Sequence, residues 1–128
     1  MSAIDLLTPP DERAIARGIE LFADVARQRY GSALRGLFLF GSRARGDAEP
    51  FSDVDLAVVV ADSIDVTRET VPLSAATYDV LVESGAEVQP WVFRESDWYA
   101  LDESRSSRLI RSARRDAKVI EVARDDLS

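Results

Sequence analysis

A small mixed β-sheet packed against helices, an α/β (α+β) fold, is what this sequence predicts. Two apolar runs, Leu34 to Phe40 and Leu56 to Val60, have the length and composition of buried strands and flank a glycine-bounded turn. A third run, Glu87 to Phe93, alternates well enough to be a strand, and helical apolar spacing recurs before, between and after these segments.

Taken in order, Thr8-Pro9-Pro10-Asp11 can open a helix, with Thr8 as N-cap and the prolines in the first turn, where a missing N–H costs little. Ile15, Ile19, Phe22 and Ala26 form its apolar stripe, and Gly31 is a plausible C-cap. The first strand, the turn and the second strand follow. The polar segment from Ala61 to Glu69 reads as loop or irregular helix, and Pro72 marks a first turn or a kink. A helix then runs to about Ser84, where Gly85 stops it; Val71, Ala75, Tyr78 and Val82 share one face and are expected in the core. In the third strand Pro90 points to an edge or a bulge. Glu95 to Leu101 reads as a short helix, Ser104 as the cap of a basic helix over 105–116, and Lys118 to Val122 as a last strand or extended tail. Trp91, Trp98 and Tyr99 fit core or interface better than base stacking.

The chain has 128 residues, room for one domain over 1–128, with 1–7 and 123–128 expected as flexible ends. Apolar residues at 46% and charged residues at 30% describe an ordinary soluble protein. There is neither a span of roughly 20 apolar residues nor a signal pattern, so the expectation is cytoplasmic, with no membrane. Cysteine and histidine are both absent, which disfavours disulfides, thiolate or imidazole zinc sites and histidine-based hydrolysis, and leaves carboxylates to carry any chemistry. A net charge of −7 makes nucleic acid an unfavourable bulk partner. Even so, Arg105, Arg108, Arg111, Arg114, Arg115 and Lys118 crowd one stretch at spacings of three and four. That is either a solvated helix face or a surface that steers phosphates or docks an acidic partner.

The informative segment is Gly41-Ser42-Arg43-Ala44-Arg45-Gly46-Asp47, followed by Phe51-Ser52-Asp53-Val54-Asp55-Leu56. Gly41 and Gly46 let backbone approach phosphate oxygens, Ser42 can donate from hydroxyl and amide, and Arg43 and Arg45 add positive charge. A helix opening at Ser42 would turn free N–H groups to the same anion, although no Gly-Lys-Ser/Thr follows and this is no Walker A loop. On extended backbone Asp53 and Asp55 share a face, so both carboxylates can serve one Mg²⁺ or a pair, completed by substrate phosphates. Each half alone also describes an ordinary turn and a solvated strand entrance. Together, between two hydrophobic strands, they read as nucleotide plus metal.

Gly41-Ser42, the gap, and Asp53-Val54-Asp55-Leu56 resemble the signature of the DNA polymerase β-like nucleotidyltransferase superfamily. The Gly-Ser-Arg-Ala-Arg-Gly turn, the small size and the closing Leu109 to Ile120 segment resemble its minimal nucleotidyltransferases. That resemblance implies the polymerase β-like fold and transfer of a nucleoside monophosphate, most simply AMP from ATP, with two Mg²⁺ ions and release of pyrophosphate. It also implies a third carboxylate on a neighbouring strand that helps hold metal and deprotonates the acceptor. Glu87 is the acid placed for this, while Gln89 on the same face would leave the position neutral and Asp79 would lie on a helix pointing elsewhere. Members of this look are often antitoxins paired with a HEPN-family helical RNase toxin, a tyrosine hydroxyl being the acceptor. A small-molecule acceptor, as for aminoglycoside nucleotidyltransferases, would need extra substrate-binding surface, for instance from a homo-oligomer. A nucleotide-binding regulatory subunit without turnover is the third reading.

Overall fold

The structure is a computed structural model, and it describes residues 8–100 and 107–120. Four strands form one sheet in the order β3-β2-β1-β4. β1 (Leu34–Phe40) is antiparallel to β2 (Val54–Val60), β2 is parallel to β3 (Val88–Arg94), and the short β4 (Lys118–Val119) is antiparallel to β1. The mixed sheet with helices agrees with the fold class expected from sequence.

α1 (Glu12–Tyr30) begins later than the Thr8 expectation. Asp11 is the N-cap, its carboxylate accepting from the Ala14 N–H at 2.8 Å, and both prolines precede the helix. Aspartate can satisfy an orphan first-turn donor directly, which outweighs the helix-compatible φ of the prolines. Gly31 ends α1 at φ 53, as its position predicted. α3 (Thr70–Ser84) carries Pro72 in its first turn and stops at the left-handed Gly85. α4 is the single turn Glu95–Trp98, and α5 (Arg108–Asp116) starts after Ser107, whose hydroxyl accepts from the Ile110 N–H at 3.1 Å. Ser107 is thus the cap of α5; Leu101, Ser104, Arg105 and Val122, named in the sequence reading, lie outside the described residues.

β2 is the middle of the molecule. Val54, Leu56, Val58 and Val60 face α1 and α3, with Phe22, Ala26, Leu37, Leu73 and Val80. Ala57 and Val59 face the other way, toward Phe40, Trp98, Ile110 and Ala113. Phe38 and Phe93 stack on Trp98 at ring separations of 5.1 and 5.4 Å, which closes that second layer. Burial on both sides explains why β2 reads as continuous aliphatics rather than an alternation. β3 lies at the sheet edge, where Pro90, with no N–H to donate, is tolerated.

The expected core stripe of α3 is on the wrong side. Leu73 and Val80 are buried, whereas Val71, Ala75, Tyr78 and Val82 are exposed. Both sets have helical spacing, so periodicity alone did not choose between them.

A polar tie links the end of α1 to the start of α3. Glu69 is buried and its Oε1 accepts from Arg29 Nε at 2.7 Å and from the Tyr30 hydroxyl at 2.6 Å. Arg29, helped by Tyr30, holds the Glu69 carboxyl below the usual carboxylate range against the opposing effect of burial. A depressed folded pKa contributes stability above the unfolded pKa and loses it as pH falls through the folded value. Glu69→Gln is therefore expected to cost about 1–3 kcal/mol at pH 7. The gap to wild type should shrink below about pH 4. Urea unfolding at both pH values checks this, and a pH-independent gap would contradict it.

Candidate active site

The turn after β1 and the starts of β2 and β3 meet at one end of the sheet. Gly41 leaves β1 at φ 76 and opens α2 (Ser42–Arg45), whose hydrogen bonds begin with Ala44 N–H and Arg45 N–H to the Gly41 carbonyl. Gly46, at φ 87, closes the turn, its N–H donating to the Ser42 carbonyl at 2.9 Å. Antiparallel pairing sets Phe40 opposite Asp55, so the turn folds back over the aspartate. A Cβ on Gly41 would stand 2.5 Å from Asp55 Oδ2. Glycine is needed there twice over, for its φ and for the close approach.

Asp55 is the second residue of β2 and points away from the core layer that takes Val54 and Leu56. Its Oδ1 accepts from the Trp91 indole N–H at 3.3 Å. Burial pushes the Asp55 carboxyl above its ordinary range, the Trp91 bond opposes that, and the charge of nearby Asp53 adds to it. Asp53 and Glu87 each stand one residue ahead of their strands, joined by the Val54 N–H to the Glu87 carbonyl at 2.8 Å. Their side chains meet: hydrogen bonding to Asp53, its negative charge and burial all raise the Glu87 carboxyl above its ordinary range. Gln89, opposite Asp55 in the β2–β3 register, is the neutral neighbour. Asp79 lies exposed on α3, across the sheet.

The two arginines of the turn divide their tasks. Arg43 Nη2 donates to the Pro50 and Ser52 carbonyls at 3.2 and 2.9 Å, bracing the loop that delivers Asp53, while its buried Nε has no partner. Arg45 is exposed, bridges Asp47 at 3.2 Å and Asp116 at 2.8 Å, and acts on Asp55 through its charge. The Arg45–Asp116 bridge also ties the turn to the end of α5. Both Trp91 and the bracing role of Arg43 were missed in the sequence. Trp91 carried one signal, its place on the strand face shared by Glu87 and Gln89.

Among the described residues no three carboxylates are gathered into a finished metal cage. The donor set nevertheless suits a hard cation. It offers oxygen ligands only, and carboxylates pressed to hydrogen-bonding range with raised proton affinity are what a divalent cation relieves. Asp53 and Asp55, with Glu87 against Asp53, fit Mg²⁺ of the kind completed by phosphate oxygens and water.

Comparison with known proteins gives three findings. The sequence model of the nucleotidyltransferase domain family matches residues 19–121. A protein of Methanocaldococcus jannaschii named provisionally as a protein adenylyltransferase is 41% identical over 49 residues, which is 38% of this chain and 33% of that one. Among solved structures, a chain of a toxin–antitoxin crystal structure with AMP-PNP aligns with a TM-score of 0.50 at 17% identity, covering 80% of this chain and 73% of that chain.

Gly41→Ala and Gly46→Ala separate backbone strain from steric conflict. Both place a side chain at positive φ, and each is expected to cost about 1–3 kcal/mol. Nothing lies within 4 Å of a Cβ at Gly46, so only Gly41→Ala should displace the Asp55 carboxyl resonance in NMR spectra. Equal displacement by both would contradict the close approach.

Proposed function

The chain belongs to the nucleotidyltransferase domain family, and we propose that it transfers AMP from ATP to a hydroxyl group on a partner protein. The observation that carries the reading is the close approach of the turn opened by Gly41 to Asp55, with Asp53 beside Asp55 and Glu87 against Asp53. Asp53 and Asp55, with Glu87, would hold Mg²⁺. When bound, the metal would neutralise charge on the phosphates and on the departing pyrophosphate.

The chain's own groups have distinct tasks. Ser42 and the α2 backbone seat phosphate oxygens against the turn, where Gly41 keeps the backbone close. Arg45 supplies positive charge at its rim, and Arg43 keeps the loop before Asp53 in place. The acceptor oxygen bonds to the α-phosphorus as the bond from that phosphorus to the pyrophosphate oxygen breaks. The hydroxyl proton passes to the carboxylate of Glu87, whose proton affinity is raised by Asp53 beside it.

The match to a relative named for protein adenylyl transfer supports a protein acceptor. The motif's resemblance to minimal nucleotidyltransferases, with the fold likeness to a chain of a toxin–antitoxin structure, supports an antitoxin role toward a HEPN-type helical toxin. A second reading, a nucleotide-binding regulatory subunit, is favoured by Gln89, which puts an amide where a carboxylate would otherwise share the face of Asp55.

The test is label transfer from α-³²P-ATP with Mg²⁺ in host lysate, resolving protein from small molecules. A labelled protein band is expected, and Asp53→Asn with Asp55→Asn should lower it by at least about 10²-fold with folding intact. Label on a small molecule would overturn the acceptor class. ATP binding without transfer in the acceptor's presence would favour the regulatory reading.

A further inference from the structure

We infer that α3 pairs two copies of this chain, its outward face lying antiparallel against the same face of the second copy. Val71, Tyr78 and Val82 are 80%, 66% and 50% exposed, and Ala75, also exposed, lies between them. Their spacings of four, three and four residues are those of a coiled-coil seam. Leu73 and Val80, on the opposite side, are already spent on the chain's own core. A 15-residue helix apolar on both sides is expected to be covered on both.

The occupant follows from size and charge. A two-fold axis between Ala76 and Thr77 sets Val71 opposite Val82 of the second copy and Ala75 opposite Tyr78, a small side chain facing a large one in each case. The exposed acids of α3, Asp79 and Glu83, both lie in its C-terminal half, while Arg68, which bridges Asp65 at 3.4 Å and is still 84% exposed at its side chain, stands just ahead of its N-terminus. Antiparallel pairing brings Glu83 of one copy to Thr70 and Arg68 of the other, and Asp79 to Ser74. Parallel pairing would instead set Asp79 against Asp79 and Glu83 against Glu83. Glu69, the residue capping α3, makes no side-chain cap bond because its carboxylate is turned to Arg29 and Tyr30. A carboxylate from the second copy near this helix start is therefore favoured by the helix dipole as well. α3 packs on the sheet face opposite the one carrying Asp55, so pairing leaves the candidate active site open.

Sedimentation velocity from about 1 to 500 µM tests the pairing, and a concentration-dependent dimer is expected. Tyr78→Arg should give a monomer across that range with an unchanged circular dichroism spectrum, since the side chain is outside the core. Arg68→Glu and Glu83→Arg should each weaken the dimer roughly two- to fivefold, and together restore it. A monomer at every concentration overturns the proposal, as does a dimer indifferent to Tyr78→Arg. If the chain is monomeric and Tyr78→Arg abolishes binding to a different protein, the face serves that protein and the pairing is wrong.

Discussion

Parallel pairing of β2 with β3 places Val54 opposite Val88, and so brings together the residues just ahead of each strand, Asp53 and Glu87. Two carboxylates in hydrogen-bonding contact are unfavourable when both are charged, and the conflict appears as the raised proton affinity of Glu87. Much of the surrounding structure maintains this arrangement. Arg43 fixes the loop that ends in Asp53, Gly41 brings the turn down on Asp55, and Trp91 reaches over from the edge strand to hold the Asp55 carboxylate. A bound cation would relieve this repulsion.

The two-layered core makes this tolerable. β2 is covered by α1 and α3 on one side and by Trp98, Ile110 and Ala113 on the other, so its backbone is fixed before the acidic end is considered. The alternation of the strand then sends Val54 and Leu56 into one layer and Asp55 to the face of the other. The Glu69 tie and the Arg45–Asp116 bridge lie on opposite sides of the sheet. The first secures α1 to α3, and the second joins the glycine-bounded turn to α5, where the basic residues cluster.

Segments whose local chemistry was decisive were legible in the sequence. Leu34 to Phe40 ended at Gly41 as read, and Gly31 and Gly85 stopped their helices. What escaped was whatever depends on neighbours. Thr8 and Asp11 were both acceptable caps, and the difference lay in which side chain reaches a free N–H. Val71, Ala75, Tyr78 and Val82 made as good a helical stripe as the pair that is buried, and only the position of the sheet selects Leu73 and Val80. The contact of Glu87 with Asp53 rests on strand register, which pattern cannot fix to one residue. Arg43 was read as phosphate-binding charge, and its Nη2 also braces two loop carbonyls, a role that composition does not display.

If the crowded carboxylates are a cation and nucleotide site, the two ligands should bind interdependently. Calorimetric titration of the chain with a non-hydrolysable ATP analogue, with and without Mn²⁺, measures this directly. The structure predicts saturable binding that is strong only when both are present, and its loss in Asp53→Ala/Asp55→Ala with the fold retained. Nucleotide binding of equal strength without the cation, or unaltered by removing both aspartates, would contradict it.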